Sequence, residues 1–317
     1  NRDKNVWNVY SKGMTVSVNQ FEKESTSKKG MSYAPKNISE ISAFVAAIRP
    51  GFKSEYSHFA SRGKFDYGVR SLDEILQTKE FPYSYMLYQE NSMAVMGWSG
   101  IPMYQTYEIV KAIAKKRYKD VLKNKEMFIE GMKNRLIKTE KMVDKNAKEI
   151  SDKTWKIIED SAFYQFNASH SYSVAGDSLY CAWLKTNHPI HFYETFIKMM
   201  EKDGDKERME LAKQEAIKFF GINFPHPEFG QDNRNILAIP ERNEITQSLN
   251  IYKGFGDSIG ESMYKLGTEF KDGDFLDMLI FAEENGMMSS KIETLIKLNY
   301  FSKFGKNKKL HNIFTEF

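Results

Sequence analysis

Asn167, Ser169 and His170 lie close together just before the apolar helical run Val174 to Leu184. All three are compact and can donate hydrogen bonds to a phosphate oxygen or a base edge, and the helix they open offers free backbone amides to the same anion. A second set, Lys111, Lys115, Lys116 and Arg117, gathers positive charge along another helical stretch, with Lys111 and Lys115 four apart and so nearly on one face. These residue types suit a phosphorylated, base-bearing ligand. The plainer readings are a solvated lysine face and a histidine that serves only a helix end.

The charge is distributed to match. The formal net charge is +4, but between Lys111 and Lys156 fifteen Lys or Arg face seven Asp or Glu, a local +8 that leaves −4 elsewhere. Such asymmetry favours a polyanionic partner. Lysine predominates, so phosphate contacts would be point charges and not bidentate forks. Cys181 is the single cysteine, which excludes an intramolecular disulfide and a thiolate metal cluster within the chain; its neighbours read as buried packing. No apolar run of about twenty residues marks a membrane span and no signal peptide is evident, so a cytosolic protein is expected.

The elements that must position these groups are mostly helical. Thr15 to Phe21 alternates and predicts a short strand, followed by a Lys-rich turn at Ser25 to Gly30. Ile38 to Ile48 has helical spacing, stopped by Pro50 and Gly51, with Ser39 as its cap. Phe52 to Arg70 reads as a loop, with several helices after Asp73 and Pro82 and Pro102 as helix starts or breaks. One amphipathic helix is expected across Leu136 to Ile158, with Val143, Ala147, Ile150, Thr154, Ile157 and Ile158 on its apolar face. Phe163 to Gly204 is predominantly helical, and Lys206 to Phe220 forms a helix ending at Gly221. Three Pro and little periodicity between Gly221 and Ile251 place a domain boundary there.

The order and spacing of four blocks resemble the C family of bacterial replicative DNA polymerases, the DNA polymerase III alpha subunit. They are Thr15 to Glu22, Arg49-Pro50-Gly51, Tyr88-Gln89-Glu90 and Phe166-Asn167-Ala168-Ser169-His170. The resemblance implies that Glu40, counted back from Arg49, stands where the family has its third catalytic aspartate and would hold Mg²⁺. Two-metal nucleotidyl transfer needs such carboxylates. Glutamate departs from the family, and an acid in a first helical turn is also explained by the helix dipole. Lys111 stands at the second of two arginine positions that neutralise the incoming triphosphate in the family, and Val110 at the first. Lys115 and Lys116 would assist, and Asn167, Ser169 and His170 would line the nucleotide pocket, with Ala168 where lysine is usual.

Tyr252-Lys253-Gly254-Phe255-Gly256 resembles a helix-hairpin-helix turn, whose amides bind a DNA phosphate without reading sequence. Ser290 to Phe304 resembles its partner unit, with Asn299 at the turn where glycine is common. Arg49, Lys253, Gly254, Gly256 and Lys303 are the expected DNA contacts.

The expected fold is mainly α, with a small α+β N-terminal part. It divides into a palm-like edge at residues 1–60, a fingers-like helical domain at 61–222 and a tandem helix-hairpin-helix domain at 223–317. The expected function is a fragment or split subunit of a DNA-directed DNA polymerase, phage-encoded in one version and then acting in the cytosol of an infected host. It would be inactive alone, because the first two catalytic aspartates lie in the family's palm, upstream of this region. Its partners would be primer-template DNA, deoxynucleoside triphosphates, a companion chain with PHP and palm domains, and a sliding clamp, with no membrane. The alternative is a non-catalytic DNA-binding module derived from polymerase fingers.

Overall fold

The computed structural model describes residues 3–49, 52, 55–162, 165, 167–286 and 289–317, with 118–120 and 289 described by their backbone. The chain forms two compact units, Asn1–Thr186 and Asn187–Phe317.

The first unit contains α1 (Lys4–Ser11), α2 (Glu24–Tyr33), α3 (Ile38–Ala47), α4 (Tyr56–Ala60) and α5 (Arg70–Leu76). It continues through α6 (Gln89–Trp98), α7 (Met103–Ala114), α8 (Tyr118–Glu140), α9 (Asp144–Ala162) and most of α10 (Ala168–Asn187). An aromatic row organises its N-terminal part. Tyr10 meets Phe21 at 4.8 Å, Phe21 stacks on Phe44 at 4.7 Å, and Tyr33 stacks on Phe44 at 5.6 Å and on Phe59 at 4.9 Å. Each such pair adds about 0.5–1.5 kcal/mol beyond the area it buries. A second core, built on Leu72, Val95, Met96, Ile109, Ile113, Phe128, Met132, Leu136, Trp155 and Ile158, holds α5 to α9 together.

Several sequence-based expectations change here. Thr15 to Phe21 is a pair of turns and not a strand. Ser17 and Gln20 have φ of 67° and 66°, and the amides of Val18 and Phe21 bond to the carbonyls three residues back. Val18 and Phe21 are thereby both buried, a spacing that no strand allows on one face. The Lys-rich turn at Ser25 to Gly30 is helix α2. Gly30 is there because the Phe21 ring occupies the place of a side chain, 2.7 Å from where a Cβ would sit. Asn37, not Ser39, caps α3, its Oδ1 accepting from the Glu40 amide at 2.8 Å. The helix expected across Leu136 to Ile158 is broken at Lys141, whose φ of 55° separates α8 from α9. Val143 falls in that break and is exposed, while Trp155 and Ser151 are buried.

The second unit contains α11 (Pro189–Asp203), α12 (Lys206–Phe220), the antiparallel pair β1 (Ala238–Ile239) and β2 (Glu244–Ile245), α13 (Asp257–Glu269), α14 (Phe275–Glu284), α15 (Ser289–Lys297) and α16 (Asn307–Glu316). Helix α12 has the expected bounds. Asp205 caps it by accepting from the Arg208 amide, and Gly221 ends it with φ 63°. Helices α13 to α16 share one core of Phe229, Leu249, Phe255, Met263, Phe270, Phe275, Met278, Leu295, Tyr300, Phe301 and Leu310. The molecule is mostly helical, and the described sheet lies in the second unit, so the expected N-terminal β element is absent from the described residues.

Candidate nucleotide and nucleic-acid interface

Helix α3, the Tyr88-Gln89-Glu90 block and the helix opened by the Phe166 block meet in the first unit. The Ser42 hydroxyl on α3 is 2.7 Å from the Tyr88 hydroxyl just before α6, and 3.0 Å from the Ser171 hydroxyl on α10. Ser171 Oγ also donates to the Ser42 carbonyl at 2.9 Å, and Tyr172 Oη donates to Ser39 Oγ at 3.1 Å. Burial drives the Tyr88 phenol well above its ordinary range, so it stays protonated as part of this network.

The Tyr88-Gln89-Glu90 block also reaches the entrance of α10. The Glu90 carboxylate accepts from the Ala168 amide at 2.9 Å. It therefore occupies part of the anion-binding capacity of the first turn of α10. Asn167 Oδ1 accepts from the His170 amide at 3.1 Å and from the Ser169 hydroxyl. Asn167 is thus the cap that starts the helix, and Asn167, Ser169 and His170 all remain exposed. Phe166 lies outside the described residues. Gln165 ties the approach to α10 down, with Nε2 donating to the Met86 carbonyl and Oε1 accepting from Ser92 Oγ, each at 2.9 Å.

Glu40 is buried in the first turn of α3. Its Oε2 accepts from the Lys36 amide at 2.9 Å and from Arg62 Nη2 at 3.0 Å. Arg62 lies just beyond α4, in the segment expected as loop, and also bonds the Ala34 carbonyl and faces the Tyr33 ring. Among the described residues no group of three or more His, Cys, Asp or Glu could hold a metal ion. One carboxylate already neutralised by a guanidinium does not fit Mg²⁺ by itself, because cation and guanidinium would compete for the same oxygen. Arg49 is exposed at the end of α3, and Pro50 and Gly51 lie outside the described residues.

The basic set sits at the C-terminal end of α7, where the helix dipole favours cations. Lys111 Nζ is 3.5 Å from Glu108 Oε1 and 5.1 Å from the centroid of the Tyr107 ring. Lys115, Lys116 and Arg117 are exposed, with Lys116 in the left-handed region at φ 54°. Val110, expected at the position of a family arginine, is 1% exposed inside the core. The backbone here thus directs only the second of the two positions outward.

In the second unit, Gly254 has φ 83° and Gly256 caps α13. The segment before this turn is a short 3-10 helix, Leu249–Ile251. Lys253, Gly254 and Gly256 are exposed while Phe255 is buried between them. Lys291 on α15 donates to the Gly254 carbonyl at 2.6 Å, which joins the two hairpin-like segments. Asn299 adopts φ 62°, the conformation for which an asparagine stands in place of glycine. Lys303 Nζ lies 4.7 Å from the Phe229 ring and 4.9 Å from that of Phe304.

Arg62 and Lys291 were not legible from motif spacing, and Glu90 stood out in its block while its contact with the Ala168 amide did not, since each acts on a group far away in sequence. Cys181, expected to be buried, is only half-buried, and burial raises its thiol pKa. Among the described residues no helix is long and apolar enough to cross a membrane.

Residues 1–136 match the model of the bacterial DNA polymerase III alpha subunit finger domain. The chain is 27% identical to DNA polymerase III subunit alpha of Neisseria meningitidis serogroup A over 96% of its own length, and 26% identical to that of Aquifex aeolicus over 97%. It is 27% identical to the Mycoplasma genitalium subunit over 80%. It spans about a quarter of the length of these relatives, 26%, 26% and 28% respectively. By its finger-domain match and this collinear similarity, the chain is similar to one part of the bacterial DNA polymerase III alpha subunit.

Proposed function

We propose that the chain supplies the fingers and a duplex-binding helical region to a C-family DNA polymerase that transfers deoxynucleoside monophosphates to a primer 3′ end. The observation that carries this reading is the junction of α3, α6 and α10 through Ser42, Tyr88 and Ser171, with Glu90 on the Ala168 amide. It fixes Asn167, Ser169 and His170 at an exposed helix entrance in the same unit as the basic end of α7. Lys111 and Lys115, with Lys116 beside them, would hold the triphosphate. Asn167, Ser169 and His170 would orient the nucleotide by hydrogen bonds. Arg49, Lys253, Gly254, Gly256 and Lys303 would contact primer-template DNA along its backbone.

Mg²⁺ in this reading belongs to the assembled polymerase, and Glu40 would join its carboxylates only by exchanging Arg62 for the metal. A companion segment or chain with PHP and palm domains would bring the remaining carboxylates. A sliding clamp would be a further partner. The burial of Glu40 against Arg62 favours one second reading, a DNA-binding module without metal chemistry.

The test is Mg²⁺-dependent extension of a primed template by the chain with a companion carrying the palm, against either component alone. Extension by the mixture alone supports the polymerase reading. Salt-sensitive duplex binding with no extension in the mixture supports the module.

A further inference from the structure

Helix α7 carries two tyrosines that the core does not use. Its inner face buries Thr106, Ile109, Val110, Ala112 and Ile113, yet Tyr104 is 80% exposed and Tyr107 48% exposed. Leaving such rings in water forgoes the gain that burying apolar surface would bring. Tyr104, Tyr107, Lys111 and Lys115 follow at spacings of three and four, so they form one outward stripe. At 1.5 Å per residue the stripe is about 16 Å long, enough for a few nucleotides of an unpaired strand. Gln105 Nε2 donates to Tyr104 Oη at 2.9 Å, and Lys111 sits beside the Tyr107 ring. Aromatic faces in line with cations are the two parts of a single-stranded nucleic-acid site: bases stack on the rings, and the charges attract the backbone.

We propose that Tyr104 and Tyr107 form a stacking platform for unpaired bases of single-stranded DNA, aligned with the cationic end of α7. The proposal rests on the reading of that end as phosphate-binding. The positive charge singles out a polyanion over an apolar protein partner. Duplex DNA offers no free base face to the rings. Glu108 lies on the same stripe, 3.5 Å from Lys111 and 3.9 Å from Arg117, and opposes an incoming phosphate. Its neutralisation should tighten binding.

The experiment titrates the full chain into labelled single-stranded oligothymidylate, the same oligomer carrying abasic sites, and a duplex, following fluorescence anisotropy over a range of salt. Tyr104→Ala with Tyr107→Ala should weaken single-strand binding at least about tenfold, since each stack is worth about 1–3 kcal/mol. The salt dependence should stay unchanged, and duplex binding should be untouched. Tyr104→Phe with Tyr107→Phe keeps the rings and should retain affinity, which separates stacking from a folding defect. Abasic sites should weaken the wild-type chain by the same factor, and Glu108→Gln should strengthen it. Wild-type affinity in the alanine pair, equal binding of the abasic oligomer, or equal loss on duplex overturns the platform. So does loss of a companion polypeptide with the single strand still bound. Lys111→Gln assayed against a nucleoside triphosphate tests the phosphate reading separately, so the two can fail independently.

Discussion

The Ser42 and Ser171 hydroxyls are 3.0 Å apart although 129 residues separate them, and both side chains are fully buried. Ser42→Ala removes a partner from both Tyr88 and Ser171. A buried polar group left without its partner costs about 1–3 kcal/mol. The expected outcome in urea unfolding is a loss of that size for either alanine variant, with a double variant less damaging than the sum of the two. Additive losses would show that the two hydroxyls do not act together.

Glu40→Ala should destabilise the chain by about 3 kcal/mol, because it leaves the Arg62 guanidinium and the Lys36 amide without their acceptor. Glu40→Gln should cost less. With Arg62 on the carboxylate, Mg²⁺ added to the chain alone should shift Tm equally in wild type and Glu40→Gln. A larger shift in wild type would place the metal on Glu40.

In the assembled polymerase, Lys111→Gln should weaken binding of a nucleoside triphosphate about tenfold or more, the scale of a hydrogen bond to a charged group. Lys111→Arg should retain most of it. Equilibrium binding measured in the presence of primed template decides the point, and unchanged affinity in Lys111→Gln would remove the lysine from the site.

Gly254→Ala places a side chain at φ 83° and brings its Cβ to 3.3 Å from Lys291 Nζ. Left-handed backbone costs a non-glycine residue about 1–2 kcal/mol. Both stability and duplex affinity should fall. Stability lost with duplex binding intact would leave the turn a purely structural role.

Asp232 provides the pH dependence. Its carboxylate takes Arg234 Nε and Nη2, each at 2.9 Å, and this pairing holds it below the ordinary aspartate range. A depressed folded pKa means stability present above the unfolded value, about 3.9, and lost as pH falls through the folded one. The difference between wild type and Asp232→Asn should therefore be constant near neutrality, about 1 kcal/mol or less, and vanish in acid. A difference that survives at a pH low enough to protonate the folded carboxylate would point to packing of Arg234 on the Tyr264 ring, 3.7 Å from its centroid, as the source.

Helical bounds were most legible where cap and stop residues flank a periodic run. Asp205 and Gly221 around α12 are the clearest case, because both act on adjacent backbone. Gly30 misled for the opposite reason. Its neighbours make it look like a turn, but it is small to admit Phe21, a requirement set by another segment. Lys141 looks like one more basic residue on a helix face, and only its left-handed backbone reveals the break. At the site, the blocks announced which segments matter and left their contacts hidden. Glu40 stood out as a carboxylate, while its partner Arg62 lay in a stretch without periodicity. Tyr104 and Tyr107 were invisible as a pair until the buried face of α7 fixed which side looks outward.

Lys185 is fully buried, and its ammonium donates to the carbonyls of Met14 and Val16 at 2.9 and 2.5 Å. Met14 leaves the ribosome 171 residues ahead of the side chain that holds it. At about 5–20 residues per second, the N-terminal turns wait roughly 10–30 s for their latch. During translation their apolar side chains, Val18 and Phe21 among them, must be sheltered by transient contacts or by a chaperone. A synonymous change that slows elongation between these points would lengthen that exposure without altering a single atom of the finished protein.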